Sequence, residues 1–480
     1  MRLKNILQNV KVKEIKNFKN YNISSITHIS TDVVSHSIFL CIKGNDFNGN
    51  DYIADAIYLG AKCIVTECED VVVDNACVVV VDDVRIAMSI MAKNFYNRCV
   101  DDMKIIGVVG TSGKTTISTI IQQLIKNTGK KVGLIGTNGI YIDNIRQENK
   151  FTTPDPLELH YVFYQMKMLG VKIVVMEVSA QSIFYNKLHG IIFDIVVFTN
   201  ISREHLDFFG SMENYVKTKM NFFSSKNMKE CVVNIDDFYG RELAYKVLIP
   251  CVSYGIKEPA NCFAIDIEYE MTKTKFVANI LDDVFDVSVP YIGEYNVYNM
   301  LAGLTVAKML GVSSEDLKKS VSKLKEIDGR FNVFTYGKKT VVIDFAHTPD
   351  SIDKLLSHIK KFASGNIISV FGCVGYSDKD KREEMGMVVS RYSDMIIVTT
   401  DNRGTTQFSD IANDIIVGIG DGKFVCIEDR LSAISYASKI MQDKDVLVLI
   451  GKGAENFQKI ENKRVTYSDR DSVISVFEKG

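Results

Sequence analysis

Ile105-Ile106-Gly107-Val108-Val109-Gly110-Thr111-Ser112-Gly113-Lys114-Thr115-Thr116 carries an apolar strand, Lys104–Val109, into a helical stretch, Ile117–Lys126, through a glycine-containing loop. Strand, glycine loop, Lys-Thr and helix in that order suit one task above others. Glycines let backbone N–H groups converge on phosphate oxygens, and the helix N-terminus adds the positive end of its dipole. Gly110, Thr111, Ser112, Gly113, Lys114, Thr115 and Thr116 are therefore expected to cradle the phosphates of ATP. Within that set, Lys114 neutralises the β- and γ-phosphates and the Thr115 hydroxyl is placed for Mg²⁺. The strict phosphate-loop spacing asks for glycine at position 108, where this chain has Val108. The loop reads as a shortened variant, and a glycine turn with an incidental lysine is the weaker reading.

Outward from the loop, short apolar runs alternate with helix-length segments. Val132–Ile135, Ile173–Glu177, Ile195–Thr199 and Cys231–Asn234 follow as buried-strand candidates. Runs rich in β-branched residues at this spacing predict a mostly parallel sheet. Ahead of the loop lie Ser37–Ile42, Cys63–Thr66 and Cys77–Val81, with a helical stretch at Tyr52–Leu59. Past Gly329-Arg330 come Thr340–Asp344, Ile367–Phe371, Met395–Thr399 and Val446–Ile450, a second open α/β sheet. The expected fold class is α/β in three domains, 1–102, 103–330 and 331–480. The central one is a phosphate-loop, mostly parallel sheet, and the last resembles a Rossmann unit.

Composition narrows the function. The chain has 480 residues, enough for two to four cores. It is 46% hydrophobic and 24% charged, with a formal net charge of −2. Acids and bases are mixed along it, so nothing points to nucleic acid or an acidic membrane. The lysines from Lys4 to Lys19 read as a solvated helix face. The ten cysteines include no Cys-x-x-Cys and most lie in apolar runs, as buried thiols of a reducing compartment do. With no apolar leader and no run of about 18 uncharged apolar residues, a cytoplasmic protein without stable membrane insertion is expected.

Further candidates sit at strand ends. Glu177 in Met176-Glu177-Val178-Ser179 ends a strand beside the loop and suits a metal ligand, though a strand-end glutamate is more often simply solvated. His205 lies in Thr199-Asn200-Ile201-Ser202-Arg203-Glu204-His205-Leu206-Asp207, where it could ligate metal or orient phosphate; a lone histidine is more often structural. Lys217-Thr218-Lys219 lies in a helical stretch, where spacing alone favours exposed lysines. Asp344-Phe345-Ala346-His347-Thr348-Pro349 and Gly451-Lys452-Gly453-Ala454-Glu455 each follow a strand of the third block.

As an ordered set these segments resemble the Mur ligase family, along nearly the whole chain. Thr152-Thr153-Pro154-Asp155, Gly293-Glu294-Tyr295-Asn296 and Gly329-Arg330-Phe331 complete the pattern. The likeness is greatest to the branch that adds the third residue of the peptidoglycan stem peptide. It implies that ATP phosphorylates a substrate carboxylate and that an amine then attacks the acyl phosphate. It implies Lys114, Glu177, His205 and Lys219 as catalytic residues, Lys219 being N-carboxylated. Thr115, Glu177, His205 and Lys219 would hold Mg²⁺, and Asn299, Arg330 and Asp344 would contact ATP. The first domain would bind UDP through Ser30. Thr152, Thr153, Ser179 and Lys187 would grip the rest of UDP-MurNAc-dipeptide. Asp401, Asn402, Arg403, Gly451 and Glu455 would bind the incoming amino acid. A monomer is expected, with diaminopimelate first among acceptors and lysine next. The chain departs from the pattern mainly where substrates are recognised. Thr31 and Ser377 stand where the family has arginine, Asp401-Asn402-Arg403-Gly404 lacks a proline and shifts the arginine by one, and Ala454 replaces a histidine. A folylpolyglutamate synthase-like ligase and a phosphate-loop regulator that ligates nothing remain as alternatives.

Overall fold

The computed structural model describes residues 1–44, 47–270, 272–375, 379–461 and 463–478. Among the described residues three main sheets, each flanked by helices, follow one another along the chain, with a two-stranded hairpin, Phe457–Ile460 and Lys463–Thr466, after the last. The middle sheet has eleven strands. Lys104–Val109 lies at its centre, parallel to both Ile173–Val178 and Phe193–Phe198. Val132–Gly136 pairs on the far side of Ile173–Val178. The chain thus leaves the central strand first toward one edge and later toward the other. Such a reversal opens a crevice at the carboxyl ends of the strands, where the 110–116 loop lies.

Both faces of this sheet are covered, which explains the unbroken apolar runs. Ile106 and Val108 pack under the helices Lys114–Lys126 and Glu294–Met309. Ile105 and Val109 face Pro156–Met168 and Met212–Phe222. The parallel expectation holds for the middle of the sheet. Its edges are antiparallel: Cys262–Tyr269, Thr274–Ile280 and Asp283–Val289 on one side, Gly139–Ile142 and Ile145–Gln147 on the other.

The third sheet pairs Lys339–Asp344 with Val446–Ile450, then Ile367–Phe371, Met395–Val398 and Phe424–Cys426, all parallel. Only Asn332–Tyr336 runs antiparallel to its neighbour there. The first sheet joins Ser25–Thr27, Ser37–Leu40, Cys63–Thr66 and Cys77–Val81 in parallel, and Val12–Lys16 closes it antiparallel. The lysine-rich start is therefore a short helix, Leu3–Ile6, and an edge strand, not one helix. Charged side chains on an edge strand discourage further pairing. Ser89 and Lys93 tie the first domain to the second by donating to the carbonyls of Asn186 and Gly190, at 3.0 and 2.7 Å.

Candidate active site

The loop is braced by the segment that follows a neighbouring strand. Asn200 accepts from the Thr111 and Ser112 amides at 2.8 and 3.0 Å, and the Thr199 hydroxyl donates to the Ser112 carbonyl at 2.7 Å. Gly113 takes a φ of +87° just before the helix, a region that side chains disfavour. The Lys114 ammonium folds back onto the carbonyls of Gly110 and Thr111, at 3.0 and 2.8 Å.

Glu177 is 1% exposed. Its carboxylate accepts from the Thr115 hydroxyl at 3.0 Å, from the Thr137 amide at 2.8 Å and from the Thr137 hydroxyl at 3.2 Å. Arg330 reaches Thr115 Oγ1 from the other side at 3.0 Å, with its guanidinium 4.4 Å over the Phe345 ring. Asp344 caps the turn after its strand by accepting from the Phe331 and Ala346 amides. Burial raises its pKa, and neighbouring Arg330 offsets part of that rise. Asn299 is buried and donates to Asn296 at 2.9 Å.

Lys219 is 1% exposed and is not the surface lysine that spacing favoured. Its ammonium nitrogen contacts the Tyr215 hydroxyl and lies 3.3 Å from Thr111 Oγ1. Burial, and then the charge of Lys114, push its pKa well below the ordinary lysine value. His205 sits at φ +55°, and burial lowers its pKa. Between them lies Glu204, which accepts from the Tyr215 hydroxyl at 3.3 Å and faces His347 Nε2 at 3.2 Å. Burial pushes the Glu204 carboxyl up, but the His347 hydrogen bond and the charge of Lys114 outweigh it and hold the pKa well below the usual range.

The 110–116 loop, Glu177, His205, Lys219, Asn299, Arg330 and Asp344 all line one cavity of about 780 Å³. Thr152, Thr153, Ser179 and Lys187 line the same cavity. There Thr153 donates to the Glu177 carbonyl at 2.9 Å and accepts from the Ser179 amide at 3.1 Å. Lys187 pairs with Asp155 at 2.7 Å. Ser30 lies outside this cavity, in the first domain's turn Ser30–Asp32.

The acceptor candidates form a separate cluster at the strand ends of the third sheet. Asn402 accepts from Lys452 at 3.1 Å and donates to Glu455 at 3.0 Å. Lys452 also pairs with Glu455 at 2.6 Å and Asp401 at 3.4 Å. Gly451 backs onto Asp401: a Cβ there would lie 3.0 Å from its carboxylate. Arg403 turns away, donating to the Thr406 carbonyl at 3.1 Å and lying 3.7 Å from Glu428. Ser377 lies outside the described residues.

No role follows from the sequence for Glu204, Tyr215, Thr137 or Lys452, although Glu204 and Lys452 lie in segments singled out there. Lys452 had a signal, as the lysine of a glycine-flanked segment after an apolar strand. The other three matter through partners distant in sequence, which no local pattern displays.

No group of three or more His, Cys, Asp or Glu side chains gathers as a metal cage among the described residues. Magnesium needs none, since it is held by one or two carboxylates together with substrate phosphates. Buried Glu177, with the Thr115 hydroxyl beside the loop, fits that mode.

Fold and site together define an enzyme that works on nucleotide phosphates in a cleft shared by α/β domains. Comparison with known proteins makes the class specific. Three family models match in succession: Mur ligase family, catalytic domain, over residues 22–96; Mur ligase middle domain over 108–307; and Mur ligase, glutamate ligase domain, over 329–453. The chain is 36% identical over 478 residues to UDP-N-acetylmuramoyl-L-alanyl-D-glutamate--2,6-diaminopimelate ligase 1 of Clostridium acetobutylicum, covering 98% of each chain. It is 37% identical over 476 residues to the 2,6-diaminopimelate ligase of Caldanaerobacter subterraneus subsp. tengcongensis, again with 98% of each covered. A solved structure of a UDP-N-acetylmuramoyl-L-alanyl-D-glutamate--2,6-diaminopimelate ligase superposes with a TM-score of 0.70 and 27% identity, over 100% of this chain and 99% of that one. A folylpolyglutamate synthase of Mycobacterium tuberculosis, solved with ADP, shares the fold at a TM-score of 0.64 and 15% identity, over 76% of this chain and 91% of that one. The chain belongs to the Mur ligase family. It is an ATP-dependent ligase that forms amide bonds.

Proposed function

We propose that this ligase adds the third amino acid, meso-diaminopimelate, to UDP-N-acetylmuramoyl-L-alanyl-D-glutamate in peptidoglycan synthesis. The observation that carries the reading is the single cavity in which the ATP loop, Glu177 and Lys219 meet Thr152, Thr153, Ser179 and Lys187. A phosphate donor and the anionic nucleotide-peptide substrate can there occupy one space.

In this reading the substrate carboxylate attacks the γ-phosphorus and ADP leaves. The amine then attacks the acyl carbon, and phosphate departs with one former carboxylate oxygen. Lys114 swings from its loop carbonyls onto the β- and γ-phosphates and spreads their charge. Thr115 and Glu177, with His205 and a carboxylated Lys219, would hold Mg²⁺, which would supply charge neutralisation at the phosphates. Lys219 suits that modification because carbamate formation needs a neutral amine, which burial favours. Asn299, Arg330 and Asp344 contact the nucleotide where the third domain meets the second. Ser30 holds uridine, and Lys187 meets the diphosphate and peptide portion once it leaves Asp155.

For the acceptor, Asp401, Asn402, Gly451 and Glu455 supply the binding wall and favour an amino group. The names of the relatives favour diaminopimelate. Arg403 is engaged elsewhere, so recognition of a second carboxylate has to draw on another cation or on a turned Arg403. All groups invoked come from one chain, so a monomer suffices. A cytoplasmic location is the reading that suits such nucleotide substrates. No helix among the described residues is long and apolar enough to cross a membrane. Incubation of UDP-MurNAc-dipeptide and ATP with a panel of amino acids, read by mass spectrometry, is expected to give the diaminopimelate adduct. A lysine adduct with none from diaminopimelate would overturn that acceptor.

A further inference from the structure

The segment carrying His205 is held from two domains. On the central domain's side, the Ser202 amide donates to Thr111 Oγ1 at 3.1 Å. From the third domain, contacts reach two consecutive residues, Asp380 also lying 3.6 Å from the Arg203 guanidinium. Glu384 accepts from Arg203 at 2.8 Å, and His347 Nε2 faces Glu204 Oε1 at 3.2 Å. The Arg203 pair is close to half exposed on both partners and contributes little. Glu204 is 8% exposed and is central to a network. Its second oxygen accepts from the Tyr215 hydroxyl, which in turn meets Lys219 and Thr111. One carboxylate therefore connects a third-domain imidazole to the groups beneath the phosphate loop.

We propose that Glu204, with His347 as its partner, is a positioning residue that makes the geometry of the phosphate site depend on docking of the third domain. The inference rests on the acyl-phosphate reading above. A charge-assisted contact to a carboxylate as buried as that of Glu204 is stronger than a surface pair, although His347 itself is 39% exposed. It also sits where docking has to exclude water from a reactive intermediate.

The test uses the full chain and measures ADP released per amide formed, alongside kcat and the KM for ATP. Glu204→Ala and His347→Ala are expected to raise the ADP-to-amide ratio from about one to about two or more, because water then reaches the acyl phosphate. They should lower kcat by about 10- to 100-fold and move the KM for ATP by less than about threefold, since the loop itself is intact. The double variant should be no worse than the poorer single one. His347→Gln keeps a donor near Glu204 and should return the ratio toward one. Should Glu204→Ala fail to fold, His347→Ala removes the same contact from its more exposed side. Ratios that stay at one in the alanine variants, or losses that multiply in the double variant, would overturn the coupling. A wild-type enzyme that forms no amide would instead sink the reading on which it rests.

Discussion

Lys219 shows how much a single residue depends on its surroundings. In sequence it is one of two lysines in Lys217-Thr218-Lys219. In the fold it is buried among Tyr215, Thr111 and Lys114, where an ammonium is costly. A neutral amine beside a phosphate loop is open to carboxylation, whereas a guanidinium is not. Lys219→Arg should therefore lower kcat by at least about 100-fold while the KM for ATP shifts far less, measured by ADP release at saturating substrate. Retention of most activity would remove the carbamate from the mechanism. Lys114 and Glu177 were legible beforehand because strand, loop and helix fix their neighbours locally. Glu204 was not, because its partners His347 and Tyr215 come from another domain and another helix.

Elements were read best where burial is complete. Ile173–Val178 and Val446–Ile450 are covered on both faces, so their apolar runs announced them. The strands between Cys262 and Val289 were missed because Thr274–Ile280 and Asp283–Val289 alternate buried with more exposed residues, a weaker signal in a chain read for parallel strands. The helix Pro156–Met168 carries a testable consequence of burial. His160 is 1% exposed, and its Nε2 has no hydrogen-bond partner. Burial pushes its pKa down to about 3, from about 6.5 in the unfolded chain. Between those values the unfolded state binds more protons, so stability falls as pH drops. The penalty is absent above about pH 6.5 and grows by up to about 1.4 kcal/mol per pH unit below it. His160→Phe should flatten the dependence of the urea midpoint on pH between 7 and 5. An unchanged slope would show that His160 does not carry it.

At the scale of the molecule, Arg330 and Phe331, on the connection between the second and third sheets, line the cavity together with residues of both domains. Gly329 sits there at φ +70°, and a Cβ would press on the backbone of Gly453 and Ala454. Gly329→Ala should cost about 1–3 kcal/mol through left-handed strain and displacement of that segment, and should reduce amide formation more than ATP binding. Thermal unfolding together with nucleotide titration would separate the two effects. The three-domain architecture was legible because each sheet announces itself in sequence. The way the domains face one another was not, since contacts such as Glu204–His347 leave no periodic trace. The central claim is that one phosphate site activates a substrate carboxylate for amide formation. Its most direct test follows ¹⁸O from the labelled acceptor carboxylate of UDP-MurNAc-dipeptide during turnover with ATP and diaminopimelate. One labelled oxygen in the released phosphate is expected for each amide formed; amide formation with unlabelled phosphate would rule out carboxylate activation at this site.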